Sequence, residues 1–326
     1  MSRRFERRPD AIEKLAGLLG ANVAAQTVHA VDRVSFEVHR GEVVGLVGES
    51  GCGKSTLGRM IAGLLPPSSG EILFKGQPLA GSSGLSRQAQ RARRLQLQMI
   101  FQDPMSSLNP RMTVGEIIGE AALVHGLTTR AALAEHVAAL MRQVALDPAY
   151  ASRYPHQFSG GQRQRICIAR ALAVQPEFLV CDESVAALDV SIQAQIINLF
   201  QELRQTLQLT YLFISHDLGV IRHLADRVIV MYLGRVVESA ATETLFSDPR
   251  HPYTRALLDQ VPRLHGGRQQ FRPIQGEIAS ALNPPSGCHF HTRCPQAGPR
   301  CRREAPILWT ENGHAVACHL HQGGVQ

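Results

Sequence analysis

The loop Gly48-Glu49-Ser50-Gly51-Cys52-Gly53-Lys54-Ser55-Thr56 constrains this chain more than any other feature. Before it, Val43-Val44-Gly45-Leu46-Val47 is a short unbroken apolar run, as in a strand buried on both faces. After it, Leu57, Met60, Ile61, Leu64 and Leu65 recur at helical spacing. Glycines let backbone N–H groups curl around phosphate oxygens, and a helix starting there adds the positive end of its dipole. The string matches the P-loop pattern in full. On that reading residues Gly48 to Thr56 line a nucleotide's phosphates, Lys54 contacts the β- and γ-phosphates, and Ser55 ligates Mg²⁺. The plainer alternative, a glycine turn with no ligand, does not need the strand before and the helix after.

The rest of the chain continues the alternation of strand and helix. Val34, Phe36 and Val38 alternate with polar residues, which predicts a half-buried strand. Strands are also predicted at Phe178–Cys181 and Tyr211–Ile214, each ending in polar residues. Such a pattern implies an α/β fold with a mostly parallel sheet, which binds ligands at the carboxyl ends of its strands. Between the halves, residues 113–146 read as helical. One stripe is Val114, Ile117, Ile118 and Ala121; another is Leu133, Val137, Leu140, Met141 and Val144. After about Val261 the chain turns rich in Pro, Gly and Arg, as a linker does.

Two strings complete a hydrolytic site. Phe178-Leu179-Val180-Cys181-Asp182-Glu183 is an apolar strand ending in two carboxylates, the Walker B pattern. Asp182 is placed to hold Mg²⁺ and Glu183 to polarise the attacking water as general base. Ser159-Gly160-Gly161-Gln162-Arg163 opens a helix carrying Cys167, Ile168, Ala171 and Leu172. Its exposed N–H groups make a second phosphate site. One nucleotide does not need two such sites from one domain; a dimer that sandwiches ATP between them does. A helix merely capped by Ser159 is the simpler alternative.

At this point the chain resembles the ABC transporter ATP-binding subunits, over about residues 28–320. The resemblance implies further roles. Gln102 is similar to the Q-loop residue that links Mg²⁺ and water to a transmembrane partner, making Ser55, Gln102 and Asp182 the Mg²⁺ set. Leu188-Asp189 is similar to the D-loop. His216 is similar to the switch histidine at the γ-phosphate, so Glu183, His216, Gln102 and Lys54 form the catalytic set. Ser159, Gly160, Gly161 and Gln162 then act in trans. Neighbours Ser215, His216 and Asp217 cannot converge on one substrate atom as a hydrolase triad.

The stretches from Phe101 to Pro110, His251 to Leu258 and Asn283 to Cys294 are similar to the peptide and nickel importers of this family. The organisation that follows is residues 1–27 without an assigned structure, an ABC ATPase domain at 28–260 with a helical subdomain at about 103–170, and an extension at 261–326. The fold class is a P-loop NTPase of the ABC type. The expected function is to power a membrane importer of oligopeptides or dipeptides. The expected partners are a second ATPase subunit (a different chain rather than a copy), two transmembrane permease subunits and, indirectly, an extracytoplasmic substrate-binding protein.

The sequence also departs from the family. No Phe, Tyr or Trp lies between Phe5 and Phe36 to stack on adenine, leaving His29 or an apolar residue. Ser184 follows the catalytic Glu where Pro is usual, and Ala187 replaces a D-loop Ser. The usual first strand is not evident, and residues 10–20 read as a helix instead.

Composition decides among function classes. No apolar run approaches the roughly 18 residues that cross a bilayer, and the basic start lacks a signal-peptide pattern. The chain is therefore expected in the cytosol, peripheral to the inner membrane through its partners. The net charge of +7 keeps open a soluble ABC ATPase acting on nucleic acid or ribosomes. The scattered arginines and the single cassette argue against that class, and no nucleic-acid partner is expected. A regulatory protein with a dead ATPase is disfavoured by the presence of both Glu183 and His216.

Of seven cysteines, Cys52, Cys167 and Cys181 sit in apolar or glycine-rich segments. Cys288, Cys294, Cys301 and Cys318 crowd the end, separated by five, six and sixteen residues. In a cytosolic chain such a cluster favours metal over disulfides. Structural zinc sites usually contain a closer pair. Four thiolates also suit an iron–sulfur cluster, and the importer resemblance favours [4Fe–4S]. Zinc and a metal-free tail remain the alternatives, with His289, His291, His314 and His319 as competing ligands. The role expected is a structural staple for a tail with little core.

Overall fold

The computed structural model describes residues 1–7, 26–79, 86–186, 188–260, 276–277 and 279–321. Twelve strands are found among them, β1 (Arg3–Arg7), β2 (Gln26–Val31), β3 (Val43–Val47), β4 (Leu73–Phe74), β5 (Gln77–Pro78), β6 (Leu97–Ile100), β7 (Phe178–Asp182), β8 (Thr210–Ile214), β9 (Arg227–Tyr232), β10 (Arg235–Ala241), β11 (Trp309–Glu311) and β12 (His314–Val316). Eight form one sheet in the order β11-β12-β10-β9-β3-β8-β7-β6. From β6 to β9 every neighbour is parallel; β10, β11 and β12 add an antiparallel edge.

Every residue of β3, β7 and β8 is buried, as their unbroken apolar runs require of strands covered on both faces. On one face the helix Lys54–Ile61 lays Leu57, Met60 and Ile61 against Val44, Leu46, Val180, Leu212 and Ile214. On the other, the sheet packs against the helices Gly160–Leu172, Val190–Leu207 and Leu218–Leu224.

The predicted helical region forms as Val114–Val124 and Leu133–Gln143. Thr113 caps the first in a reciprocal box with Glu116, accepting its N–H at 3.4 Å while Glu116 Oε2 accepts the Thr113 N–H at 2.7 Å. Its buried stripe is Val114, Ile117, Ile118 and Ala122; the predicted Ala121 is only half-buried.

Two expectations need correction. Val34, Phe36 and Val38 do turn inward while Ser35 and Glu37 stay exposed, but the segment joins no ladder. The Val34 N–H goes to the Met1 carbonyl instead, so the alternation records burial without sheet pairing. The first strand, not evident in sequence, is the arginine-rich β1. It pairs antiparallel with β2, Arg7 opposite Gln26, and Arg3 stacks over Phe5 at 4.8 Å. Pairing across the intervening residues leaves no local periodicity to read. The helix predicted at 10–20 and the departure at Ala187 lie outside the described residues.

The C-terminal segment is not a separate lobe on a tether. Ala315 and Val316 of β12 pair with Ser239 and Glu238 of β10, so the tail extends the central sheet.

Candidate active site

Three parallel strands deliver the chemistry to one end of the sheet. The loop after β3 ends with Lys54, a residue only 4% exposed. Its Nζ donates to the carbonyls of Gly48 at 2.8 Å and Glu49 at 3.0 Å. Two glycines of the loop are there because nothing larger fits. A Cβ on Gly48 would meet the Met231 carbonyl oxygen at 2.2 Å, and one on Gly53, at φ +102, the Ala30 carbonyl oxygen at 2.0 Å.

Asp182 closes β7 beside this loop. The Ser55 hydroxyl donates to Asp182 Oδ1 at 2.9 Å, so the two proposed metal ligands lie side by side. Burial pushes the Asp182 carboxyl up from its ordinary range; the Ser55 hydrogen bond and the charges of Arg59 and Lys54 oppose that. A cavity of about 630 Å³ opens here, lined by Ser55, Gln102 and Asp182 among others. The residues present therefore fit Mg²⁺: one carboxylate, one hydroxyl and one amide, all oxygen donors.

Glu183 sits in the left-handed region at φ +46, a conformation that costs a non-glycine residue about 1 kcal/mol or more. Its N–H is tied to the Ile214 carbonyl at 2.9 Å, which holds the bend. The bend turns the carboxylate toward two partners. Gln102 Nε2 donates to Glu183 Oε2 at 2.8 Å, and His216 Nδ1 approaches the same oxygen at 3.4 Å. Gln102 follows β6, Glu183 follows β7 and His216 follows β8, so three adjacent strand ends converge on one carboxylate.

Ser159, Gly160, Gly161 and Gln162 do not join this cluster. The Ser159 and Gln162 side chains form a capping box at the start of Gly160–Leu172. No hydrogen bond among the described residues links them to the loop Gly48–Thr56. Gly161 is pressed against the helix Val190–Leu207, where an added Cβ would lie 2.4 Å from Ile192 Cγ2. Asp189 is exposed at the start of that helix and makes no side-chain cap.

The four tail cysteines are free and line one small cavity of about 10 Å³, with His251, His291 and His319 beside them. Burial, then the neighbouring thiols Cys301, Cys318 and Cys294, push the Cys288 thiol up to about 11. Among the described residues no group of three or more His, Cys, Asp or Glu has metal-binding geometry. His289 and His314 are engaged elsewhere, on the Leu233 carbonyl at 3.3 Å and on Glu238 at 2.7 Å.

Sequence reasoning missed the tail's reach into the phosphate loop. Arg293 donates to both Glu49 carboxylate oxygens, and the Glu49 N–H donates to the Tyr253 hydroxyl at 2.8 Å. No local signal marks these residues, which lie 244 and 204 positions from Glu49.

Comparison with known proteins identifies the family. The model of the ABC transporter family matches residues 31–186, and that of the oligopeptide/dipeptide transporter C-terminal region matches residues 237–301. The oligopeptide transport ATP-binding protein AppF of Bacillus subtilis is 52% identical over 298 residues, covering 90% of each chain. OppF of Escherichia coli, named likewise, is 49% identical over 297 residues, 90% of this chain and 88% of that one. Among solved structures, the dimeric cassette MJ0796 in a post-hydrolysis state with ADP and Pi superposes with a TM-score of 0.60 at 26% identity, over 68% of this chain and 94% of that one. CbiO1 of Clostridium perfringens, part of a cbiONQ transporter complex, gives 0.60 at 30% identity, over 68% and 85%. The chain is a member of the ABC transporter ATP-binding proteins, an ATPase family, in the branch that carries the oligopeptide/dipeptide transporter C-terminal region.

Proposed function

We propose that this chain binds and hydrolyses ATP to drive import of oligopeptides or dipeptides through a membrane permease. The observation that carries the hydrolytic part is the Glu183 carboxylate, held between Gln102 and His216 one residue after Asp182. Glu183 accepts a proton from water as that water attacks the γ-phosphorus; the bond to the bridging oxygen breaks, and ADP and phosphate leave. Gln102 orients the carboxylate, and His216, at the end of the next strand, would contact the γ-phosphate. Lys54 leaves its carbonyl partners for the phosphates. Mg²⁺, held by Ser55 and Asp182 with Gln102 nearby, supplies charge neutralisation on the phosphate oxygens.

A second ATPase subunit contributes the exposed helix start at Ser159–Gln162 and its Asp189 to each site. The exposure of Ser159 and Gly160 supports this reading: the capping box takes the Ser159 and Gln162 N–H groups but leaves those of Gly160 and Gly161 for a phosphate. A different chain fills this role rather than a second copy. Two permease subunits couple to the surface near Gln102, and an extracytoplasmic binding protein delivers cargo. The chain attaches through these permease subunits, peripherally at the cytoplasmic face; among the described residues no helix is long and apolar enough to cross a membrane.

The four tail cysteines supply the thiolate donors that a [4Fe–4S] cluster with a structural role would take, although as they stand they do not have metal-binding geometry. Four free thiols around one cavity support the donor chemistry; no chemical step is routed through it. Iron and sulfide analysis of anaerobically purified protein tests this part, with a Cys294→Ser, Cys301→Ser variant as control. Uptake of a labelled oligopeptide into vesicles containing the assembled transporter tests the rest. ATP turnover that never responds to any peptide or its binding protein would sink the cargo assignment.

A further inference from the structure

The phosphate loop is anchored at several points, and most belong to the ATPase core. Gly48 lies on the Met231 carbonyl and Gly53 on the Ala30 carbonyl. The Cys52 carbonyl accepts the Gly234 N–H at 2.9 Å. Glu49 is different. Its N–H is held by Tyr253, and its carboxylate by the two guanidinium nitrogens of Arg293, at 2.5 and 2.9 Å. Both partners lie in the C-terminal part of the chain.

Arg293 is itself fixed. Its side chain is 4% exposed, and its N–H donates to the Phe290 carbonyl at 3.0 Å. Its guanidinium lies 5.9 Å from the Tyr232 ring. Tyr232, Tyr253 and Phe290 form one aromatic cluster, with centroids 4.8 to 5.3 Å apart. The segment from Cys288 to Cys294 carries Phe290 and Arg293, and the Cys288 N–H is tied to the Cys301 carbonyl at 2.8 Å. A second tail contact lies one residue from another anchor of the loop: His289 Nδ1 meets the Leu233 carbonyl, next to the Gly234 whose N–H holds the Cys52 carbonyl.

We infer that Arg293 is a positioning residue for ATP binding, through which the cysteine-bearing tail sets the shape of the phosphate loop. Lys54 Nζ rests on the Glu49 carbonyl at 3.0 Å. Whatever fixes Glu49 therefore fixes the backbone that places the phosphate-binding lysine. A bidentate fork fixes an orientation as well as a distance, which a lysine cannot do. Loop N–H groups contact phosphate in the ground state and the transition state alike. Loosening them removes uniform binding, which raises KM and leaves kcat unchanged.

The test is steady-state ATP hydrolysis by the full-length chain assembled with its partner subunits, for Arg293→Ala, Arg293→Lys, Glu49→Ala and the Glu49→Ala, Arg293→Ala pair. MgATP affinity is measured by calorimetry on the same variants in a Glu183→Gln background. Arg293→Ala is expected to raise KM and Kd about tenfold, a change of about 1.4 kcal/mol, with kcat within about twofold. Arg293→Lys should fall between it and wild type. The pair should be no worse than either single variant, because each removes the same contact. A fall in kcat at unchanged KM means only that less protein is active, and overturns the inference. So does an affinity within about twofold of wild type, or effects of the single variants that multiply in the pair. If Arg293→Ala does not fold, Glu49→Ala with and without Arg293→Lys decides: the lysine must lower affinity when Glu49 is present and have no effect when it is absent.

Discussion

Replacing Gly161 by Ala separates two things that a glycine at this position can do. It is the second residue of the helix Gly160–Leu172 and is buried. An added Cβ lies 2.4 Å from Ile192 Cγ2 and 3.7 Å from Ile192 Cβ. Carbon atoms rest at about 3.5–4.0 Å, so about 1 Å must be found by moving one helix or the isoleucine. Overpacking of this kind costs about 1–3 kcal/mol, against a gain of up to about 1 kcal/mol in helix propensity. The expected net loss is about 1–2 kcal/mol, or about 2–4 °C in Tm by circular dichroism. Ile192→Ala removes the offending methyl, so the double variant should be more stable than the sum of the singles by about 1 kcal/mol. ATP hydrolysis by the assembled transporter then reads the other role. If the helix start binds a partner's nucleotide, the double variant recovers stability while turnover stays low. A Gly161→Ala protein as stable as wild type, or strictly additive singles, would refute the packing argument. Full turnover in the double variant would refute the role in trans.

Other expectations follow from the same geometry. Glu183→Gln keeps a partner for Gln102 but cannot take a proton, so turnover should fall about 10²–10⁴-fold while MgATP binding persists; a loss under about tenfold by phosphate release would remove Glu183 from the role of base. His251 accepts the Tyr253 N–H at 3.0 Å through Nδ1, and burial, then the charge of His321, holds its pKa down at about 3. Since the unfolded value is about 6.5, the unfolded chain takes up the proton first; stability is full above about pH 6.5 and is lost as pH falls toward the folded value, by up to about 1.4 kcal/mol per pH unit. His251→Asn keeps an acceptor at the same helix start but does not titrate, so its unfolding free energy should fall less steeply than wild type between about pH 6 and pH 4; parallel curves would show that His251 is not the group responsible.

Much of the site was legible because its chemistry is written in short strings. The Gly48–Thr56 loop, the Asp182-Glu183 pair and the capped Ser159–Gln162 turn each need residues at fixed spacing on one local element. The unbroken runs of β3, β7 and β8 were equally plain. The run Val228–Tyr232 in β9 has the same signature, but no catalytic string follows it to draw attention. What sequence does not carry is which strands lie side by side. That Gln102 and His216 meet on one Glu183 oxygen depends on β6, β7 and β8 being neighbours. The tail was harder still. Its strands β11 and β12 have three residues each, too short to show periodicity. Arg293 is one of 34 basic residues, and only the folded path from Cys288 to the phosphate loop distinguishes it.

The placement of these parts bears on why one chain looks incomplete as a catalyst. The cluster proposed to activate water, Gln102, Glu183 and His216, is assembled within the chain, down to the strained backbone at Glu183. The signature helix is assembled equally well, by its capping box and by Gly161 against Ile192. Yet among the described residues no hydrogen bond joins the start of that helix to the cluster, and the surface beside that start is exposed. Ser159, Gly160 and Asp189 are exposed, and Val190, an apolar β-branched residue, is 83% exposed at the start of its helix. A helix start with free N–H groups is a phosphate site only if a phosphate reaches it, and this chain's own phosphate loop lies elsewhere. On the function proposed above, a second ATPase subunit would supply that phosphate and cover Val190 in the same step. On this arrangement ATP is the contact between subunits, and a loop whose shape is set from the tail controls how readily the contact forms. Loss of Arg293 should therefore weaken ATP-dependent subunit association as well as ATP binding, and sedimentation of the Glu183→Gln pair with and without Arg293→Lys reads that link directly.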